Sequence, residues 1–225
     1  MISVYTIVLF KNDNGFENTQ KQDTDSEESV KKDIPVNFND LKRKNSDIYA
    51  WIKIPNSNID YPILRNEEED YYLTHSEDKK ESVYGAIYTQ NYNCDDFSDS
   101  NTVIYGHNMK NGTMFGGLKK YREEAYFANH SDIIIYLPDK ILKYKVFAAY
   151  TSDDANILTE YDFKDYKQIK EYLNKVFVRA SGGNWNKDIQ ISETDKIVTL
   201  STCTDNASKR YLVQAVLVDT IGFDS

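Results

Sequence analysis

The chain has 225 residues, 40% of them hydrophobic, which is enough for one sizeable core. Its 27 basic and 36 acidic residues leave a net charge of −9, which argues against a nucleic-acid partner and against docking on anionic lipid through a basic patch. Its two cysteines, Cys94 and Cys203, are too few for a disulfide framework, and no CxxC or Cys/His cluster reads as a metal site, so a structural zinc is not expected.

The chain opens on an apolar run, Ile2–Phe10, that stops at Lys11. It is about half the ~20 residues needed to cross a bilayer. It also lacks the basic region and small-residue cleavage site of a signal peptide. The run reads either as a strand or loose end, or as the outer end of a membrane anchor truncated here. Residues 11–33 are polar and of mixed charge with almost nothing to bury, which reads as a flexible tether ended by Pro35. Residues 1–35 are therefore set apart from a single folded domain over 36–225.

That domain leans towards β. Its 18 Tyr and 10 Phe join many Ile, Val and Thr. A short helix is expected first, capped by Asn37 or Asn39 and carrying Phe38 and Leu41 on one side. Alternation then begins: Ala50, Ile52 and Ile54 fall on one face, Trp51, Lys53 and Pro55 on the other. Further strands are predicted over 59–64, 84–89, 101–105, 133–137, 142–151, 196–201 and 211–218. Short strands with polar turns between them point to a closed or nearly closed antiparallel sheet. Two helices interrupt it, a short one over 114–121 and a longer one over 163–178. In the longer one Phe163, Tyr166, Ile169, Leu173, Val176 and Phe177 recur at helical spacing after a cap at Asp162.

The sharpest local signal is Ile197-Val-Thr-Leu-Ser-Thr-Cys203. Val198, Leu200 and Thr202 share one face of this strand and Cys203 ends the other, just before the polar turn Thr204-Asp-Asn206. A cysteine so placed is presented rather than packed, although a buried structural cysteine is the plain alternative. Arg210 follows seven residues later at the start of the next strand. If 204–209 is a hairpin loop, its guanidinium returns beside Cys203, where it can stabilise a thiolate or an oxyanion. Of the three histidines, His75 and His130 sit in charged, loop-like stretches and read as surface residues. His107 instead follows the apolar strand Val103-Ile-Tyr105 through Gly106, a place where a strand gives way to a loop.

Thr199-Leu-Ser-Thr-Cys203 resembles the TLxTC signature of sortases, the surface enzymes that attach proteins to Gram-positive cell walls. Val103-Ile-Tyr-Gly-His-Asn-Met-Lys-Asn-Gly-Thr-Met-Phe-Gly-Gly-Leu118 is similar to the family's histidine segment, and Lys209-Arg210 before an apolar strand matches its arginine position. The helix over 163–178 and the N-terminal helix resemble class B members in particular. The implied fold is mainly β: a closed antiparallel barrel of about eight strands with an N-terminal helix and a helix inserted between two late strands.

The resemblance implies a cysteine transpeptidase that needs no metal or organic cofactor. Cys203 attacks the carbonyl after a Thr in a C-terminal sorting signal, His107 acts as acid and base, and Arg210 steadies the oxyanion. A cell-wall precursor or peptidoglycan amine then takes the protein from the thioester. Ser201 and Thr202 are expected to line the signal's pocket. Asp205 resembles an acidic residue proposed to orient the histidine, with a turn-capping role as its alternative, and Thr204 stands where some relatives carry an acid. The implied setting is the outer face of a Gram-positive membrane, reached through the N-terminal anchor. A catalytically inert β-barrel binding module is the competing reading. Papain-like and L,D-transpeptidase readings fit poorly, because here the cysteine comes late, on a strand, and far from its histidine. Cys94 lies in an acidic loop and is expected to be unreactive.

Overall fold

In the computed structural model, residues 34–153, 156–206 and 208–223 are described. The expected anchor and the tether over 11–33 lie outside them. The order is α1 (Phe38–Lys44), β1 (Ile48–Lys53), β2 (Asp60–Arg65), α2 (Tyr71–Thr74), β3 (Ile87–Thr89) and β4 (Asn101–Tyr105). A 3-10 helix (Phe115–Arg122) leads to α3 (Glu124–Asn129), β5 (Asp132–Tyr136), β6 (Lys140–Asp153) and α4 (Ile157–Glu160). Then come α5 (Tyr166–Ala180), β7 (Asn184–Trp185), β8 (Ile197–Cys203) and β9 (Lys209–Gly222).

The strands pair in the order β5-β1-β2-β3-β4-β8-β9-β6, and β5 pairs with β6 to close an eight-stranded barrel. The two-residue β7 pairs with Ala148 and Ala149 of β6, beyond the stretch that β5 pairs. Closure removes the unpaired edges that an open sheet would expose. Two pairings differ from the all-antiparallel expectation: β2–β3 and β4–β8 run parallel. Parallel neighbours need long crossovers. The chain between β2 and β3 supplies one through α2, and the segment from the 3-10 helix to β7 supplies the other.

Local chemistry explains most element boundaries. Asn37 caps α1 by accepting from the Asp40 amide, and Phe38 turns inward. Ala50, Ile52 and Ile54 are buried as the alternation requires, while Trp51 and Lys53 both reach the Asp60 carboxylate at the surface. Over 115–122 the buried residues Phe115, Leu118 and Tyr121 recur every third position, which fits three residues per turn and gives a 3-10 helix rather than an α-helix. The long helix α5 begins three residues later than its periodicity suggests. Asp162 spends its carboxylate on the Lys164 amide in a turn, and Asp165 caps the helix through the Lys167 amide.

The barrel interior gathers Ile52, Ile63, Ile104, Phe115, Leu200 and Val213. A second core lies where α5 packs Ile169, Tyr172, Leu173 and Val176 against Val103, Phe147, Ile197 and Leu212 on the barrel's outer face. This helix is why both faces of β8 are buried up to Thr202 and only Cys203 emerges. Between the layers Gln214 accepts from the Tyr150 hydroxyl (3.2 Å) and donates to Thr199 Oγ1 (2.8 Å), which donates to Asn101 Oδ1 (2.8 Å). These polar groups are buried and joined in one network, which fixes β4, β8 and β9 relative to one another.

Candidate active site

The parallel pairing of β4 with β8 sets Tyr105 opposite Ser201, so both strands end at the same rim of the barrel. Gly106-His107 leaves β4 there and Thr202-Cys203 ends β8. Two bonds tie the exits together: the Gly106 amide donates to Ser201 O (3.2 Å), and Thr202 Oγ1 donates to Gly106 O (2.7 Å). A side chain at position 106 would not fit. A Cβ there would lie 2.5 Å from Ile87 Cδ1 and 2.8 Å from the Phe115 ring.

β9 returns antiparallel to β8 with Arg210 directly opposite Cys203. Arg210 Nη1 donates to Cys203 Sγ at 3.1 Å. A guanidinium this close can stabilise negative charge that develops on a carbonyl oxygen bonded next to the sulfur. Cys203 is partly exposed and unpaired, and Cys94 is a free, exposed thiol, so no disulfide links the two. The Asp99 carboxylate pushes the Cys94 thiol up, away from its reactive form.

The β2–β3 crossover supplies the support for His107. Its Nε2 lies 2.7 Å from Leu73 O. A carbonyl oxygen only accepts, so Nε2 carries a proton and Nδ1 is the atom left to exchange one. Gly85, at φ +56, allows the crossover this close: a Cβ would sit 2.6 Å from Tyr72 O and 3.0 Å from the His107 ring. Sequence reasoning missed Leu73, because a backbone carbonyl leaves no mark on residue type. Asp205 is exposed, and among the described residues no hydrogen bond or ion pair joins it to His107, whose ring meets Leu73 O. His75 and His130 lie apart, stacked on Tyr71 and Tyr126 respectively.

Cys203, His107 and Arg210 line one cleft together with Ser201 and Thr202. Ser201 and Thr202 are themselves buried, and the Thr202 hydroxyl is committed to Gly106 O. Another wall of the cleft is built by Asp70, which accepts from the Tyr88 hydroxyl (2.8 Å) and Gln90 Nε2 (2.6 Å), and by Tyr105 stacked on Tyr88 at 5.4 Å. Burial pushes both phenols up, so they stay neutral donors near neutral pH. The cleft thus offers a thiol with an adjacent cation, an imidazole of fixed orientation and a polar, aromatic wall, which are the parts an acyl-transfer site requires.

The sortase domain family matches residues 52–218, and the chain belongs to that family, whose members are sortase-type transpeptidases. Its relatives place it nearest class B. Sortase B of Listeria monocytogenes is 32% identical over 193 residues, covering 84% of this chain and 77% of that protein. Sortase B of Staphylococcus aureus is 31% identical over 186 residues, covering 80% and 74%. The crystal structure of Clostridium perfringens sortase B superposes with a TM-score of 0.74 at 30% identity, over 81% of this chain and 100% of that one. A Staphylococcus aureus sortase B–substrate complex gives 0.73 at 28% identity, over 81% and 84%. These relatives point to a role at a Gram-positive cell surface. Among the described residues no helix is long and apolar enough to cross a membrane.

Proposed function

We propose that this sortase cleaves a short C-terminal sorting signal after a Thr and transfers the upstream protein to a cell-wall amine, with Cys203, His107 and Arg210 as its catalytic residues. The observation that carries this reading is the 3.1 Å contact from Arg210 Nη1 to Cys203 Sγ in a cleft that His107 also lines. In the first half-reaction the Cys203 sulfur, its proton already passed to His107 Nδ1, attacks the Thr carbonyl carbon, and the C=O π pair moves to the oxygen. Arg210 stabilises that oxyanion. The C–N bond then breaks, and His107 Nδ1 gives its proton to the leaving amine while Nε2 stays on Leu73 O. In the second half-reaction the acceptor amine attacks the thioester, Nδ1 takes its proton, and the pair in the C–S bond returns to sulfur.

Ser201, Thr202 and the Tyr88–Tyr105 wall are assigned to the sorting signal, because they line the cleft on which the thiol opens. Orientation of His107 is assigned to Leu73 rather than Asp205. An N-terminal anchor holding the enzyme on the outer face of the membrane completes the proposal. The test is a panel of fluorogenic five-residue peptides with Pro second and Thr fourth, comparing wild type with Cys203→Ala. Cleavage between positions four and five that the variant loses supports the reading. Cleavage that survives in Cys203→Ala refutes it.

A further inference from the structure

A second recess opens from the same catalytic residues. His107, Thr202 and Cys203 border both it and the main cleft. The two differ in sign. The main cleft carries Glu69, Asp70 and Asp153 alongside Arg210, whereas the recess carries Lys110, Lys119 and Arg122 against the single carboxylate of Asp205. Among the described residues none of these three cations is in an ion pair. In a chain of net charge −9, three uncompensated cations in one concavity make a local field that attracts anions. A separate observation points the same way. Tyr211 borders this recess, and its hydroxyl is buried and has no hydrogen-bond partner among the described residues. Arg122 lies over the Tyr211 ring, 4.9 Å from its centre. A buried donor without an acceptor is costly, and an anion supplies acceptors.

We propose that this recess receives the acceptor, and that the acceptor amine carries an anionic group, a carboxylate or a phosphate, close to its reacting nitrogen. This rests on the transfer reaction proposed above and assigns its second substrate a chemical class. The cations have two effects on such a molecule. They hold its anion beside the thioester, and they disfavour the protonated state of its amine, leaving the lone pair ready to attack. In the transfer the amine nitrogen bonds the thioester carbon, the C–S bond breaks with its electrons returning to Cys203, and the nitrogen's proton passes to His107. A plain diamine, bringing only positive charge, enters this field poorly.

The test is competition within one tube between acceptors that differ in the anion alone, with a sorting peptide as donor and mass spectrometry counting the two products. One pair is glycylglycine against glycylglycinamide, the other aminoethyl phosphate against ethanolamine. Because the readout is a product ratio, any change in the rate of thioester formation cancels. At low salt the wild type is expected to favour the anionic member by about tenfold, as several modest exposed charge contacts would give. The preference should shrink towards one in the double variant Lys119→Gln, Arg122→Gln, persist in Lys119→Arg, and weaken with added salt. Preference in the first pair alone assigns a carboxylate acceptor, and in the second alone a phosphorylated one. Ratios near one in both pairs, or a preference untouched by the double variant, overturn the proposal while peptide cleavage leaves the sortase reaction standing. A wild type that consumes no peptide removes both.

Discussion

Replacing Arg210 by alanine removes the only cation in contact with the nucleophile among the described residues, a guanidinium nitrogen 3.1 Å from Cys203 Sγ. Opposite unit charges ~4 Å apart are worth ~4 kcal/mol at an effective dielectric of ~20. Removing one oxyanion donor from an acyl-transfer site costs ~2.7–4 kcal/mol, or about 10²–10³ in kcat. The two estimates agree, so Arg210→Ala should lower kcat/KM for peptide cleavage by about 10²–10³. Arg210→Lys keeps the charge but loses the planar fork, and should fall between the wild type and Ala. The assay is steady-state cleavage of the best fluorogenic peptide, with a thermal melt on each variant. Position 210 sits in a strand pair opposite Cys203, and neither substitution removes a backbone hydrogen bond, so the fold should survive. If Arg210→Ala melts normally yet cleaves within about tenfold of wild type, the oxyanion assignment is wrong.

Gly106→Ala should destabilise the protein by about 1–3 kcal/mol, because its Cβ would press on the buried Ile87 and Phe115. A melting point lowered by about 2–12 °C checks this, and cleavage should fall further than stability as His107 moves. Gln214→Leu strands at least one of the buried hydroxyls that Gln214 now satisfies, so its urea midpoint should drop by the equivalent of about 1–3 kcal/mol. An unchanged midpoint would show that Tyr150 and Thr199 find other partners. Near neutral pH Cys94 should be alkylated far more slowly than Cys203, since the Asp99 carboxylate pushes its thiol up. Removing that charge favours the thiolate, so Asp99→Asn should speed Cys94 labelling, and equal labelling of both cysteines in the wild type would contradict the contrast.

The sequence alone was enough to mark the candidate residues. Alternation in Ile197–Cys203 exposes the thiol at a strand end, the polar turn after it returns Arg210 to its side, and Gly106 frees His107 from β4. These are short-range consequences of a period of two and of a hairpin, so residue order reveals them. The order of the three motifs along the chain is enough to identify the family. Asn37, Ala50, Ile52 and Ile54 likewise behave as local rules dictate.

Only the tertiary structure decided that His107 and the thiol share one rim. The histidine and cysteine strands are parallel neighbours, and that pairing is what brings both of their ends to one rim; an antiparallel pair would send them to opposite ends of the barrel. Parallel pairing depends on which crossover the whole barrel can accommodate, and the alternation within each strand is the same for either direction. The same crossovers bring Leu73 O to His107 and set Lys110, Lys119 and Arg122 around a recess. These contacts join residues far apart in the chain, and in the case of Leu73 through backbone alone, so the residue sequence carries no local trace of them.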